Sequence, residues 1–213
     1  MTNRAIRDLE ASGKIVSEWR QLKTGGPIKL LWNKSYRYYR RSAAELVKLV
    51  EEYSDPNIGG ALGRHGELMV LEGFAKNRFV MAGQSTREFG GKKWTQTDHN
   101  LDFIFERDGC AYGVEVKNML GYMVHEEFKV KIQLCKALGI VPVFVARMLP
   151  KVWVYELLGH GGFALILKHQ LYPLAHKDLA KRVAAELGLP VDAPQRLADG
   201  TMARFVAWHR KRV

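Results

Sequence analysis

The chain has 213 residues, 47% of them hydrophobic, which suits a sizeable core and argues against global disorder. It has only two cysteines, Cys110 and Cys135, with no near neighbour at metal-ligand spacing, which argues against a zinc knuckle or a disulfide framework. The net charge of +11 points to a polyanionic partner.

The positive charge is concentrated at the two ends of the chain. Residues 1–50 hold eleven Lys and Arg against four acids, and the final WHRKRV adds three more cations. Neither end has the clean apolar face of a membrane-surface helix, so nucleic acid is favoured, with an ordinary solvated basic surface as the alternative. The sequence shows no signal peptide and no run of about 20 apolar residues. We therefore expect no membrane contact and a cytoplasmic location, nucleoid-associated if DNA is bound.

The first quarter of the chain predicts a helical extension. Residues 1–22 are predicted to form a helix, KTGGP is a break, and the segment that follows is predicted to be mostly helical. Ser42 and Glu45 match a capping box, which predicts a helix start near Ser42 and an end before DPNIGG. We assign residues 1–57 to this basic extension.

The middle of the chain alternates helical and strand-like patterns. GGALGRHGELMVLEGFAKN predicts a helix, RFVMAG a strand, and QSTREFGGKKWTQTDHN a polar loop. A hairpin, the helix HEEFKVKIQLCKALG and the strands VPVFVAR and KVWVYELL follow, and then GGFALILKH, which fits either a short strand or a buried segment. The order predicts an α/β fold, a mixed sheet flanked by helices over residues 58–175. Residues 176–213 are predicted to be a basic helical C-terminal segment.

The hairpin in LDFIFERDGCAYGVEVKN carries the chemistry. An Asp108-Gly109 turn pairs Phe103 with Val114 and Leu101 with Val116 on one apolar face. The other face then places Asp102 opposite Glu115, and Asn100 opposite Lys117. Facing like charges destabilise a sheet, and a bridging Mg²⁺ would explain them. A three-residue loop would break this register, and a charged surface hairpin is the plainer alternative.

Other polar residues are weaker candidates. Lys129, Gln133 and Lys136 form a stripe on the helix after the hairpin, with Gln133 the most site-like. His99, three residues before Asp102, and His65, at the entrance of a helix, could contact the substrate. The simpler interpretation of each is a polar surface residue. The remaining nucleic-acid candidates are basic: Arg37, Arg40 and Arg41, outward from a packed Trp32–Tyr36–Tyr39 face, and the loop residues Lys92 and Lys93.

Residues 60–160 resemble the PD-(D/E)xK nuclease superfamily, which includes Holliday junction resolvases and many restriction endonucleases. The segments NLDFIF and GVEVKN carry the resemblance, although no proline precedes Asp102. It implies a restriction-endonuclease-like fold in which Asp102, Glu115 and the Val116 carbonyl hold Mg²⁺, with Mn²⁺ as a substitute. It makes Lys117 the catalytic lysine and Glu67 the helix glutamate, which would serve a second metal site or act through a water, with Glu72 a weaker choice. Apart from the resemblance, Asp98 is an alternative acid, although it lies before the strand pattern begins.

The resemblance therefore implies a Mg²⁺-dependent DNA endonuclease, resolvase-like or restriction-like, that acts as a homodimer. In that enzyme Lys117 would steer or deprotonate a water, and Gln133 would support the catalytic site. A non-catalytic DNA-binding module on the same fold is the alternative, and action on RNA is left open.

Overall fold

The computed structural model describes residues 3–213 and divides them into two compact units. The first unit runs as far as Gly60 and includes Arg182–Leu189. The second unit comprises Ala61–Lys181 and Pro190–Val213. The C-terminal residues from Pro190 onward therefore belong to the same compact unit as the hairpin.

The first unit contains a β-hairpin where helix was predicted. Helix α1 (Asn3–Ala11) is followed by strands β1 (Ile15–Gln21) and β2 (Pro27–Asn33), and residues 1 and 2 lie outside the described part. The helix stops because Gly13, at φ 67°, turns the chain. β1 and β2 pair antiparallel from Ile15↔Asn33 to Gln21↔Pro27. The helix prediction is therefore wrong for these two strands, whereas the KTGGP break is confirmed as their connecting loop.

Helix α2 (Tyr39–Tyr53) begins before the predicted capping box. Ser42 lies inside the helix, and its Oγ is 2.8 Å from the Tyr36 hydroxyl instead of capping the backbone. The predicted end before DPNIGG is confirmed. Helix α3 (Pro56–Lys76) follows and confirms the next predicted helix.

The second unit is built on a five-stranded mixed sheet. The strands are β3 (Val80–Thr86), β6 (Leu101–Arg107), β7 (Cys110–Lys117), β8 (Val141–Ala146) and β9 (Phe163–Ile166), in that spatial order. β3, β6 and β7 pair antiparallel, while β7, β8 and β9 run parallel. Short strands flank the sheet: β4 (Glu88–Phe89), β5 (Lys92–Lys93), β10 (Gln170–Leu171) and β11 (Val191–Asp192). The remaining helices are α4 (His125–Leu138), α5 (Lys151–Gly159), α6 (Lys177–Leu187) and α7 (Asp199–His209).

Helices cover both faces of this sheet, as the α/β prediction requires. On one face Phe74 of α3 stacks on Phe105 with ring centroids 4.4 Å apart and contacts Phe205 of α7 at 5.0 Å. On the other face Leu134 and Cys135 of α4 pack in a cluster that includes Ile104 of β6. Strands β6 to β8 are therefore buried on both faces of the sheet, as is typical of strands covered by helices on both sides.

The segment KVWVYELL is helix α5, so its strand prediction is wrong. Its alternating Val152 and Val154 imitate a strand, but Pro150 occupies the N-cap position and favours a helix start after it. Trp153 and Leu157, one helical turn apart, belong to the cluster of Phe128, and the Trp153 and Phe128 rings lie 5.1 Å apart. Packing at helical spacing outweighs the strand-like alternation.

Helix lengths run from 9 residues in α1 and α5 to 21 residues in α3. Within residues 3–213, none of the helices combines the length and the apolarity that crossing a membrane requires.

Candidate functional site

The β6–β7 hairpin has the two-residue turn predicted from Asp108-Gly109. The register runs from Phe103↔Val114 to Arg107↔Cys110, as predicted. Asp108 and Gly109 both have positive φ, 51° and 74°, as a type I′ turn demands. This turn sets which side chains of the two strands face each other.

The regular ladder stops at Phe103, and Asp102 uses its side chain instead. The Asp102 Oδ2 atom accepts a hydrogen bond of 2.7 Å from the Val116 backbone N–H. Leu101 leaves the face of Phe103 and packs with Ile104 in the cluster under α4, so its predicted placement beside Phe103 is wrong. The Asp102 carboxylate consequently lies against the backbone that directly follows Glu115.

Glu115 is the most buried acid of the site, with 2% of its surface exposed. Its Oε2 lies 2.6 Å from the Lys131 Nζ of α4, and its Oε1 lies 3.0 Å from the Lys117 Nζ. Lys131 also donates to the Asn100 carbonyl oxygen, at the start of β6. Both carboxylate oxygens of Glu115 are thus engaged by ammonium groups.

A second acid, Glu127, contacts Lys117 at the more exposed end of this network. Glu127 of α4 lies 2.8 Å from the Lys117 Nζ, so Lys117 is bracketed by Glu127 and Glu115. The charges alternate along Lys131, Glu115, Lys117 and Glu127. Such an arrangement fixes the position of Lys117, which retains 25% side-chain exposure towards solvent.

Lys131 and Glu127 were not among the predicted site residues. The predicted polar stripe on α4 was Lys129, Gln133 and Lys136, whereas Lys131 falls between apolar Phe128 and Cys135 on the buried side. A lysine among the apolar positions of an amphipathic helix was the available signal, because a buried cation needs a partner.

Burial and charge shift the pKa values of the site in opposite ways. Burial, and then its closeness to Asp102, raise the pKa of Glu115 despite Lys131 and Lys117. Burial also raises the pKa of Asp102, against the Val116 hydrogen bond, and Glu67 adds to the rise. Burial acts to lower the pKa of Lys117, but Glu115 and Glu127 outweigh it and raise that pKa overall. Lys117 is therefore an ammonium group at neutral pH.

Asn118 anchors the chain just after Lys117. Its buried side-chain amide donates to the Leu62 and Leu171 carbonyl oxygens at 2.8 and 2.7 Å, and its Oδ1 accepts the Leu171 N–H at 2.7 Å. Gly66 of α3 leaves room for it, because a Cβ there would lie 2.5 Å from the Asn118 Cβ. Asn118 thereby fixes where β7 ends and where Lys117 emerges.

The charged network lines an open depression of about 610 Å³ that also contains His99 and Asp98. The His99 Nδ1 lies 3.0 Å from the Thr97 Oγ1. Asp98 is exposed and pairs with Arg87 at 3.0 Å. The structure therefore brings His99 together with Asp102, Glu115 and Lys117, and leaves Asp98 at the rim.

The other predicted residues lie outside this depression. Glu67 is half-buried on α3, near enough to Asp102 to influence its pKa. Gln133 is exposed on α4, Lys129 is half-buried there, and Lys93 pairs with Glu88 at 2.5 Å. Residues that the structure places on exposed surface are Arg37, Arg40 and Arg41 in the first unit and Lys92 in the second.

The donor set fits a hard divalent cation. No group of three or more His, Cys, Asp or Glu side chains within residues 3–213 is arranged to hold a metal. Mg²⁺ commonly takes only one or two protein carboxylates and completes its shell with water and substrate oxygens. The carboxylates of Asp102 and Glu115 meet that requirement. Both lie at one end of the hairpin, where burial raises their pKa values.

Comparison of the chain with protein families, with curated proteins and with solved structures gives no match.

Proposed function

We propose that this chain is a Mg²⁺-dependent endonuclease that hydrolyses phosphodiester bonds in DNA. The observation that carries the proposal is the set of Asp102, Glu115 and Lys117 at the same end of one hairpin, lining an open depression. The order of strands and helices and the segments NLDFIF and GVEVKN support a restriction-endonuclease-like fold. On the same resemblance we propose a homodimer that acts inside the cell.

Asp102 and Glu115 would hold the ion, with the Val116 carbonyl as a further oxygen ligand. The Val116 N–H orients the Asp102 carboxylate, and Lys131 fixes the far oxygen of Glu115. Bound Mg²⁺ supplies charge stabilisation at the phosphate and a water of lowered pKa. Glu67 of α3, whose charge helps to raise the pKa of Asp102, would serve a second metal site or contribute through a water.

Lys117 would act as a cation. Held between Glu115 and Glu127, its ammonium group provides a fixed positive charge beside the phosphate site. Its ammonium group can orient the attacking water or stabilise the charge that develops on phosphate oxygens. His99, in the same depression, is placed to contact the substrate backbone.

A second candidate is a DNA-binding module without turnover, and one observation favours it. Both oxygens of Glu115 already have ammonium partners, and such a network can serve packing alone. Metal coordination by Glu115 would therefore have to use the lone pairs that Lys117 and Lys131 leave free. The two candidates differ in whether the bound nucleic acid is cut.

The deciding experiment compares binding and cleavage on a panel of duplex, single-stranded, forked and four-way-junction DNA with matching RNA, at fixed salt. We expect wild-type protein to cut at least one DNA substrate with Mg²⁺. We expect Lys117→Met to bind that substrate with unchanged affinity and to cut it about 100-fold or more slowly.

Lys181→Met is the control, because Lys181 is an exposed lysine of α6 in the second unit that does not line the depression. It should cut at the wild-type rate. Wild-type protein that binds DNA but leaves every substrate intact would establish the non-catalytic module, and preferential cutting of RNA would overturn the DNA assignment.

A further inference from the structure

The first unit contains a pocket that the nuclease site does not use. It lies between strand β2 and helix α2 and has a volume of about 480 Å³. That size falls within the range of small-ligand sites, roughly 300–1,000 Å³. Its apolar wall is formed by Leu30, Trp32, Tyr36, Tyr39, Ala43 and Leu46.

The wall of this pocket is largely aromatic. The Trp32 and Tyr39 rings stack with centroids 4.4 Å apart and an interplanar angle of 2°. Tyr36 is 45% exposed, and its hydroxyl is tied to the Ser42 Oγ at 2.8 Å. Flat, held aromatic faces of this kind suit a flat ligand that stacks on them.

The pocket also offers hydrogen-bonding groups at its edge. The Asn33 Oδ1 atom accepts the Ser35 N–H at 3.0 Å and the Ser35 hydroxyl at 2.8 Å, which holds the Asn33 side chain in place. Its amide nitrogen has no hydrogen-bond partner within residues 3–213 and is available to donate. The Tyr36 and Ser42 hydroxyls form a second polar point on the same wall. A ligand with ring nitrogens or carbonyl oxygens would match these groups.

Basic residues adjoin the lining residues of the pocket in the chain. Lys34 and Arg37 flank its lining residues Ser35 and Tyr36, are exposed, and form no ion pair within the described part of the chain. Arg40 follows Tyr39, and its guanidinium lies 5.9 Å from that ring centroid. A flat heterocycle attached to phosphate groups is therefore complementary to both the wall and its surroundings.

We propose that this pocket binds a single unpaired nucleobase of a DNA strand, while Lys34, Arg37 and Arg40 hold the adjacent phosphates. A base within a duplex is stacked on both faces and has no face to offer the wall, so entry requires an unpaired or extruded base. The site would direct the protein to DNA with an unpaired position. The inference rests on the proposed function only for the class of partner.

The test uses fluorescence anisotropy in EDTA, so that no cleavage takes place. Three labelled duplexes are compared: fully paired, with one unpaired adenine, and with an abasic residue in place of that adenine. We expect wild-type protein to bind the adenine duplex about 10-fold more tightly than the abasic duplex, since base–aromatic stacking has that order of effect.

Tyr36→Ala should remove this preference, and Asn33→Ala should reduce it. Trp19→Ala is the control, because Trp19 is a 67% exposed aromatic residue of the first unit that does not line the pocket. Equal wild-type affinity for the adenine and abasic duplexes, or an equal loss in Trp19→Ala, would overturn the proposal.

The wild-type comparison stands even if Tyr36→Ala fails to fold, and Asn33→Ala then identifies the pocket. Because Mg²⁺ is absent, the result is independent of the nuclease activity. A base preference in EDTA, together with no cutting of any DNA substrate in a separate assay with Mg²⁺, would defeat only the proposed function.

Discussion

Glu115 and Lys131 form an ion pair in which both side chains are almost completely buried, with 2% and 5% exposure. A buried ion pair contributes little net stability to the fold, but removing one partner leaves the other charge buried without compensation. The sequence predicts the closeness of Asp102, Glu115 and Lys117, because the Asp108-Gly109 turn sets the register. It does not locate Lys131, since only the three-dimensional packing of α4 on β7 brings that residue to Glu115.

Replacing Lys131 with Met should therefore destabilise the protein by about 3 kcal/mol, because it leaves one oxygen of Glu115 buried without its cation. Urea unfolding of wild type and variant measures the change. Lys129→Met, the half-buried neighbour, should change the free energy of unfolding by less than about 1 kcal/mol.

Adding Glu115→Gln to Lys131→Met should recover part of that loss, because the stranded charge is then removed. Equal losses in Lys131→Met and Lys129→Met would show that the buried pair does not hold α4 on the sheet.

At the scale of the elements, long periodic segments and the hairpin turn were predictable. α3, α4, α7 and the buried strand β8 follow from periodicity and turn residues. β1, β2 and α5 were misassigned because short apolar segments satisfy strand and helix patterns alike, and pairing or packing partners decide between them. The close approach of α3 to the end of β7 was not predictable, although Gly66 makes it possible.

Gly66→Ala should destabilise the protein by roughly 1–3 kcal/mol, since its Cβ would lie 2.5 Å from the Asn118 Cβ. Gly63→Ala on the same helix is the control, because nothing lies within 4 Å of a Cβ there. That control should be neutral or stabilising by up to about 1 kcal/mol. Thermal or urea unfolding of both variants checks the contrast, and a stabilising Gly66→Ala would show that α3 does not pack on Asn118 in this way.

The hairpin turn is also connected to α7. The fully buried His209 lies 3.0 Å from the Asp108 Oδ2 through its Nε2 and 2.6 Å from the Tyr112 hydroxyl through its Nδ1. The bond to His209, helped by Arg107, lowers the pKa of Asp108. A carboxyl group whose pKa is lowered by folding stabilises the folded state fully when the pH is above its pKa in the unfolded chain. That stabilisation is lost as the pH falls through the lowered pKa of the folded state.

The advantage of wild type over Asp108→Asn in free energy of unfolding should therefore be complete above about pH 5 and disappear in stronger acid. Asparagine keeps the turn, since it tolerates positive φ, and His209 and Arg107 are common to both proteins. Urea titrations across this pH range measure the difference. An advantage that grows as the pH falls would contradict the assigned bond.

At the scale of the whole molecule, the charge of +11 and the basic first 50 residues predict affinity for nucleic acid that depends steeply on salt. This expectation comes from composition alone. Composition does not predict which cations are exposed, because that depends on how the chain folds.

Replacing Arg37, Arg40 and Arg41 together with Gln should weaken DNA binding and reduce the slope of log affinity against log salt by about one unit for each phosphate that the variant no longer neutralises. Lys177→Gln with Lys181→Gln, two exposed cations of α6, should leave the slope unchanged. Binding isotherms at several NaCl concentrations without Mg²⁺ give the slopes. An unchanged slope in the arginine variant would place the DNA-binding surface elsewhere.

The most direct test of the nuclease proposal is the rate of supercoiled plasmid cleavage at increasing Mg²⁺, measured for wild type and Asp102→Asn side by side. Asparagine preserves the hydrogen bond from the Val116 N–H but removes one of the two carboxylate charges. We predict Mg²⁺-dependent cleavage by wild type that EDTA abolishes, and a rate about 100-fold or more lower in Asp102→Asn. Cleavage that proceeds in EDTA, or at the same rate in Asp102→Asn, would contradict a metal-dependent centre at the end of this hairpin.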